Sequence, residues 1–307
     1  MEKIIITSGD PAGCGPYIVL KAIQKINNPN IKFFVIGDYK IFSKISIFWK
    51  VKRYFKLIDA NTADIEKIKY GYPSIISGQA SLNYIDIALN FCKKYKIKRI
   101  VTAPVSKEAI KLVYKDFEGH TEYLAKYFKV KNVEMMMVSD KLRIVLFTRH
   151  NVLRDVSKLI KKNSLIKTFF LVYFSLKNLF YIKNPKIAIA SFNPHAGIDT
   201  FLEKEEKIIS SAINSFKGRI YGPYPADTLF LKKNFSKYDC LICLYHDQGM
   251  MPFKMLSFKK GVNLTIGLPI IRTSPAHGVA YDIIRAGKNP FYSSMLEAIR
   301  LALILKI

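Results

Sequence analysis

Short apolar runs alternate with stretches of helical periodicity along most of this chain. Runs rich in β-branched and aromatic residues, and no longer than about eight residues, are typical of buried strands. The runs that meet this description are Lys3–Thr7, Lys32–Ile36, Arg99–Thr102, Glu134–Val138, Leu142–Thr148, Lys186–Ser191, Cys240–Tyr245 and Val262–Ile266. Strands that alternate with helices predict an α/β fold on a largely parallel sheet.

Helices are indicated where apolar residues recur three and four positions apart. One covers 208–216, and another begins at Pro16, where proline suits a first turn. Ser294 and Glu297 have the spacing of a capping box, which predicts that the last helix begins there. The most apolar segment, Leu165–Ile182, is interrupted by two lysines, so we expect a buried helix and no membrane span.

Composition indicates a globular protein. Half of the 307 residues are hydrophobic, and the mean hydropathy is +0.10. The amino terminus lacks the features of a secretory signal, so a cytoplasmic location is expected. The net charge is +26, but the lysines are scattered and accompany no nucleic-acid-binding motif. We therefore expect no nucleic-acid partner, although the positive field favours small anionic ligands.

Three apolar runs lead to histidines, namely His150, His195 and His246. In open α/β sheets, ligands bind outside the carboxyl ends of the strands, where three imidazoles could share one divalent metal. The alternative is that each histidine is a capping or surface residue. Cys240 and Cys243 have metal-site spacing, but positions three apart on a strand face opposite sides, which favours core packing.

Other segments carry ligand-binding chemistry. The loop Ser8–Pro16 is glycine-rich without the G-x-G-x-x-G spacing, and it fits either ligand contact or a tight turn. His120 and Thr121 precede a helical pattern, where they would bind an anion or Thr121 would only cap the helix. The stretch 245–273 contains Asp247, Lys254, Asn263 and Arg272, and its cations suit a phosphate or carboxylate.

The ordered segments SGDPAGCGP, TAPVSKEA, GHTEYLA, RHNVLRDVS, FNPHAG, GPYPADTLF, YHDQGM and GVNLTIGLPIIRTSPAHG resemble the 4-hydroxythreonine-4-phosphate dehydrogenase family, which makes a vitamin B6 precursor. The resemblance implies two α/β/α subdomains flanking a cleft, similar to isocitrate and isopropylmalate dehydrogenases. We place them at 1–125 plus 275–307 and at 126–274. It also implies a homodimer with a shared active site, NAD or NADP as cofactor, and one divalent metal such as zinc, magnesium or cobalt.

Residue by residue, the resemblance assigns the metal to His150, His195 and His246. It assigns substrate binding to His120, Thr121, Lys254, Asn263 and Arg272. His120 and Lys254 are also the expected catalytic residues, with Asp227 a further candidate for proton transfer. The cofactor-binding residues cannot be assigned from the sequence.

The implied reaction is oxidation of 4-phosphooxy-L-threonine at C3, followed by decarboxylation to 3-amino-2-oxopropyl phosphate. Tyr17, 198–200 and Ala276 depart from the family pattern, which leaves the choice between NAD and NADP open. The alternatives are a dehydrogenase of a related phosphorylated hydroxy acid, a metal-dependent lyase that uses no nicotinamide, and a homologue that has kept only binding.

Overall fold

The computed structural model describes residues 1–26, 28–140, 142–197, 203–257 and 259–306. The described strands are β1 (Glu2–Thr7), β2 (Ile31–Gly37), β3 (Phe55–Asp59), β4 (Arg99–Thr102), β5 (Glu134–Ser139), β6 (Leu142–Leu146), β7 (Lys186–Ala190), β8 (Arg219–Tyr224), β9 (Cys240–Cys243), β10 (Val262–Ile266) and β11 (Ile271–Pro275). Every predicted strand is present, which confirms the strand assignment from apolar runs.

The described helices are α1 (Gly15–Ile26), α2 (Tyr39–Phe42), α3 (Ser46–Val51), α4 (Ile75–Tyr95), α5 (Lys107–Lys111), α6 (His120–Tyr127), α7 (Leu153–Leu159), α8 (Lys162–Leu179), α9 (Lys204–Ser215), α10 (Ala226–Leu229), α11 (Lys232–Phe235), α12 (His246–Ser257), α13 (Tyr281–Arg285) and α14 (Ser293–Ile304). Helices and strands alternate along the chain, which confirms the α/β class. Within the described residues, no helix has both the length and the apolar character needed to cross a membrane.

The chain divides into two compact units. Unit 1 comprises Met1–Lys129 and Leu268–Leu305, and unit 2 comprises Val130–Gly267 with the last two residues. The subdomain limits expected from the sequence, at 125 and 275, lie a few residues from these boundaries.

Unit 1 is built on a parallel sheet in the order β3-β2-β1-β4-β11. Its central strand β1 is apolar from Ile4 to Ile6, and all of these side chains are fully buried. A strand covered on both faces reads as a continuous apolar run, which is why the pattern predicted it correctly. Helix α4 contributes the fully buried Tyr84, whose hydroxyl donates to Asp38.

Unit 2 has the strand order β10-β5-β6-β9-β7-β8. Strands β6, β9, β7 and β8 are mutually parallel, whereas β5 runs antiparallel to both β10 and β6. Among the described pairings the sheet is largely parallel, as expected, and the antiparallel pairings are those of β5. Strand β6 begins at Leu142, directly after β5 ends at Ser139, and a connection this short can only join antiparallel strands.

Two expectations need correction. The capping box at Ser294 is absent, because α14 begins one residue earlier and its N-cap, Tyr292, makes no side-chain cap. The Ser294 hydroxyl instead accepts the backbone N–H of Ala276. Strands β3, β8 and β11 were not predicted, because β3 is a partly exposed edge strand, β8 contains Gly-Pro, and β11 carries arginine, threonine and serine.

Candidate active site

In unit 2, the three candidate metal-binding histidines follow three neighbouring parallel strands. His150 follows β6, His246 follows β9 and His195 follows β7, and β9 lies between the other two strands. The carboxyl ends of parallel strands open at the same edge of a sheet, where ligands bind in α/β folds. The strands end earlier than predicted, so the histidines lie in the following loops and at the first residue of α12.

The imidazoles of His150 and His246 lie close together, with ring centroids 5.8 Å apart. Hydrogen bonds continue past the ends of β6 and β9 and hold the two loops in register. The backbone N–H groups of Phe147 and Thr148 donate to the carbonyls of Cys243 and Leu244, at 2.8 and 3.2 Å. The Thr148 hydroxyl adds a second bond to the Leu244 carbonyl, at 2.6 Å.

His246 is oriented by its neighbour in the sequence. Its Nδ1 lies 2.7 Å from Oδ1 of Asp247. A carboxylate on one ring nitrogen fixes the tautomer in which the other nitrogen, Nε2, is free to accept a metal ion. His246 therefore has the chemistry of a metal ligand.

His195 lies on a constrained turn. It occupies the 3₁₀ turn Pro194–Gly197 with φ near 54°, in the left-handed region that residues other than glycine rarely adopt. The preceding loop is held by buried Glu206, whose carboxylate accepts the backbone N–H groups of Phe192 and Asn193 at 3.1 and 2.7 Å.

The structure thus brings two of the three histidines together. In the described part of the chain, no group of three or more His, Cys, Asp or Glu side chains is arranged to hold a metal ion. The paired imidazoles fit the nitrogen donors that a divalent ion such as zinc or cobalt prefers. The site with three histidines stays a prediction.

The other candidates in unit 2 differ in setting. Asn263 lies on β10, and its Oδ1 atom is buried with no hydrogen-bond partner. Lys254 is exposed near the end of α12. Asp227 is exposed on α10, where its carboxylate accepts the backbone N–H of Thr228. This bond occupies one carboxylate oxygen only, and the role of Asp227 in proton transfer stays a prediction.

Unit 1 holds a buried cationic group. Arg272, on β11, is 2% exposed, and its Nε and Nη2 donate to the hydroxyl of Thr102 on β4 at 3.1 and 2.7 Å. Burial lowers the pKa of Arg272 to about 10, so the guanidinium remains charged at neutral pH. The nearby charge of Glu122 partly opposes this effect of burial. A buried guanidinium is suited to bind an anion.

His120 begins α6 and lies beside this cation. Burial, reinforced by the charges of Arg272 and Lys107, lowers the pKa of His120 well below its usual value. The ring is therefore neutral, and its Nε2 atom is buried without a hydrogen-bond partner. Thr121 is buried on the same first turn, where Gly119 is the N-cap, so Thr121 does not cap the helix.

Sequence reasoning gave no role to Lys107, the lysine of the TAPVSKEA segment. A Cβ atom built on Gly119 would lie 3.6 Å from the Lys107 ammonium, which places this cation at the start of α6. The sequence signal for Lys107 was its place in a segment that resembles the family. One exposed lysine in a lysine-rich chain does not by itself indicate a functional role.

The glycine-rich loop has the packing of a tight turn. Cβ atoms on Gly9 and Gly15 would lie 2.3 and 1.9 Å from the carbonyl oxygens of Pro104 and Ser8. Asp10, in the same loop, is fully buried and accepts the Tyr281 hydroxyl at 2.6 Å. Residues 198–200, which depart from the family pattern, lie outside the described residues.

The comparisons with known proteins agree with this architecture. The family model described as pyridoxal phosphate biosynthetic protein PdxA matches residues 21–302. A 4-hydroxythreonine-4-phosphate dehydrogenase of Desulforapulum autotrophicum is 36% identical, over 97% of this chain and 93% of that protein. A protein of Oceanobacillus iheyensis, described provisionally as a D-threonate 4-phosphate dehydrogenase, is 37% identical over 97% of this chain and 96% of its own length.

A solved structure supports the same relationship. The 4-hydroxythreonine-4-phosphate dehydrogenase of Klebsiella pneumoniae is 28% identical and superposes with a TM-score of 0.84, covering 98% of this chain and all of that one. Agreement of sequence and fold over nearly the full length leads to one conclusion: the chain is an enzyme that belongs to the PdxA family of pyridoxal phosphate biosynthetic proteins.

Proposed function

We propose that this enzyme is an NAD(P)-linked dehydrogenase that requires a divalent metal and oxidises the C3 hydroxyl of 4-phosphooxy-L-threonine. Membership of a dehydrogenase family supports a nicotinamide cofactor and a small phosphorylated substrate. The observation that carries the proposal is the pair of imidazoles, His150 and His246, at the carboxyl edge of the unit 2 sheet. The expected cytoplasmic location and homodimer with a shared active site remain predictions.

The histidine pair, with His195 as the third ligand, would hold the metal. A bound divalent ion would polarise the substrate hydroxyl and lower its pKa. Asp247 keeps the His246 ring in the tautomer that presents Nε2. Neutral imidazoles leave the ion its full charge, whereas carboxylate ligands would partly cancel it.

Residues of unit 1 suit the anionic end of the substrate. The Arg272 guanidinium and the Lys107 ammonium provide positive charge for a phosphate or carboxylate group. Neutral His120 has an unpartnered Nε2 that can accept a proton or a hydrogen bond. In unit 2, the unpartnered Oδ1 of Asn263 can accept a hydrogen bond from a substrate hydroxyl or amine, and exposed Lys254 adds a further cation.

The reaction balances as a two-electron oxidation. The C3 hydrogen leaves as hydride to the nicotinamide, and the hydroxyl proton leaves to a base, which gives 2-amino-3-oxo-4-phosphooxybutanoate. This β-keto acid then loses carbon dioxide to give 3-amino-2-oxopropyl phosphate.

The second candidate substrate is D-threonate 4-phosphate, which replaces the amine with a hydroxyl. The Oceanobacillus iheyensis relative is the observation that favours it. Both substrates offer a phosphate and a carboxylate, so the unit 1 cations do not discriminate between them.

One assay separates the candidates. NADH formation is measured with each substrate, with and without chelator, for the wild type and for the variants His150→Ala and His246→Ala. We expect turnover of 4-phosphooxy-L-threonine that requires metal and is lost in both variants. Faster turnover of D-threonate 4-phosphate would assign the second function. Substrate cleavage without NADH formation would indicate a lyase and overturn the dehydrogenase proposal.

A further inference from the structure

We infer that Gln248 is a positioning residue, which sets the spacing of the histidine-bearing segments and thereby the geometry of the metal site. This inference rests on the proposed metal-dependent function. Gln248 lies in the first turn of α12, two residues after His246, and it is buried.

The Gln248 carboxamide joins two strand ends. Its Oε1 accepts the backbone N–H of Leu244, at 2.7 Å, in the segment that leads from β9 to His246. Its Nε2 donates to the backbone carbonyl of Ser191, also at 2.7 Å, directly after β7 and before His195. A single side chain therefore fixes the distance between the segments that carry His195 and His246.

The third segment is joined to the same point. The Thr148 hydroxyl donates to the carbonyl of Leu244, the residue whose N–H is bound by Gln248. The hydrogen bonds thus run without a break from the His150 segment through Leu244 and Gln248 to Ser191. All of these contacts lie within unit 2.

Glutamine is chemically suited to this position, because one contact needs an acceptor and the other needs a donor. A glutamate could not donate to the Ser191 carbonyl when ionised, and a methionine of similar length could make neither bond. Loss of either bond would leave a backbone group without its partner, which disfavours the arrangement of the two strand ends.

Gly249 explains why the side chain reaches both strand ends. A Cβ atom on Gly249 would lie 2.6 Å from Leu146 Cδ2 and 3.0 Å from Ile144 Cγ2. The start of α12 therefore packs directly against β6, which a larger residue would prevent. Gln248 is held at a fixed height above the edge of the sheet where the histidines lie.

The test uses Co²⁺ as a probe in the full-length protein, since its visible absorption reports the geometry of its ligands. Binding is titrated for the wild type, Gln248→Met and, as a matched control, Gln79→Met on the exposed face of α4. Loss of an outer contact to a metal site typically weakens affinity about 10–100-fold. We expect a weakening of this size in Gln248→Met with shifted absorption bands, and no change in Gln79→Met.

His246→Ala separates this inference from the function on which it rests. If the wild type binds Co²⁺ and His246→Ala does not, the metal site stands. A wild-type spectrum and affinity in Gln248→Met would then overturn the role of Gln248 alone. Failure of the wild type to bind Co²⁺ would overturn both.

A second variant covers the case in which Gln248→Met does not fold, as judged by circular dichroism. Gln248→Asn keeps the carboxamide and shortens the side chain by one methylene, so it cannot hold both Leu244 and Ser191. We expect its Co²⁺ affinity to fall several-fold with a smaller band shift. A wild-type spectrum and affinity in a folded Gln248→Asn protein would overturn the inference.

Discussion

Replacement of Arg272 by methionine should stabilise the ligand-free protein while it weakens substrate binding. Burial lowers the pKa of this guanidinium from its usual 12.5 to about 10, which corresponds to about 3 kcal/mol of free energy against the charged form. The two hydrogen bonds share the single Thr102 hydroxyl and together offset about 1.5–3 kcal/mol of this cost. We therefore expect the free energy of unfolding to rise by no more than about 1.5 kcal/mol in Arg272→Met.

The effect on binding has the opposite sign. A hydrogen bond from a charged group is worth about 1.5–3 kcal/mol, so loss of even one to a substrate phosphate should raise Kd roughly 10–100-fold. Since the pKa stays near 10, Arg272 is charged throughout the neutral range, and the stability difference should not vary between about pH 6 and 8.

The assay combines thermal unfolding without ligand and substrate titration. A gain of this size corresponds to a rise in Tm of at most about 6 °C. The matched control is Arg300→Met, because Arg300 is half-exposed on α14 and its ion pair with Glu297 contributes little. A lower Tm in Arg272→Met, together with unchanged substrate affinity, would refute the reasoning that this buried charge is maintained for binding.

Three further predictions follow from buried groups and from the proposed metal. Burial raises the pKa of Asp10 to about 6, above its unfolded value, so its contribution to stability is present at low pH and is lost as the pH rises through about 6. Asp10→Asn should therefore be more stable than the wild type between pH 5 and 8, as measured by thermal unfolding. Treatment with a strong chelator should abolish NADH formation and lower Tm, and added Zn²⁺ or Co²⁺ should restore both. Unchanged Tm and activity after dialysis against chelator would count against a bound metal. Ser294→Ala should lower the free energy of unfolding by about 0.5–1.5 kcal/mol in urea titrations, because the partly buried N–H of Ala276 loses its acceptor. No change would show that water replaces the hydroxyl.

Sequence patterns were most informative where local chemistry decides the structure. Strands buried on both faces, such as β1 and β9, have continuous apolar runs, and both cysteines of β9 are buried in the core as expected. Burial raises the pKa of the Cys240 thiol to about 12, so this thiol is not poised to bind a metal. Strand β11 was missed because its buried residues include Arg272, whose charge signals a surface position in any local pattern.

The site was predictable in its residue types and not in its arrangement. Three histidines after apolar runs indicated one edge of a sheet, and the strand order β6-β9-β7 places their segments side by side. The role of Gln248 could not be foreseen, because its partners are backbone atoms of Leu244 and Ser191, and backbone positions leave no mark in a sequence. The proximity of Lys107 to His120 likewise depends on the path of the chain between α5 and α6, which no local pattern encodes.

The insertion of β9 between β6 and β7 has a consequence for biosynthesis. The chain completes β6 and β7 long before it reaches Cys240. A nascent polypeptide that ends before β9 therefore lacks His246, and it also lacks the strand that pairs with both β6 and β7. Closing such a distant contact is a late and slow event in folding. A site that includes His246 therefore cannot form until the chain has been synthesised through β9 and into α12.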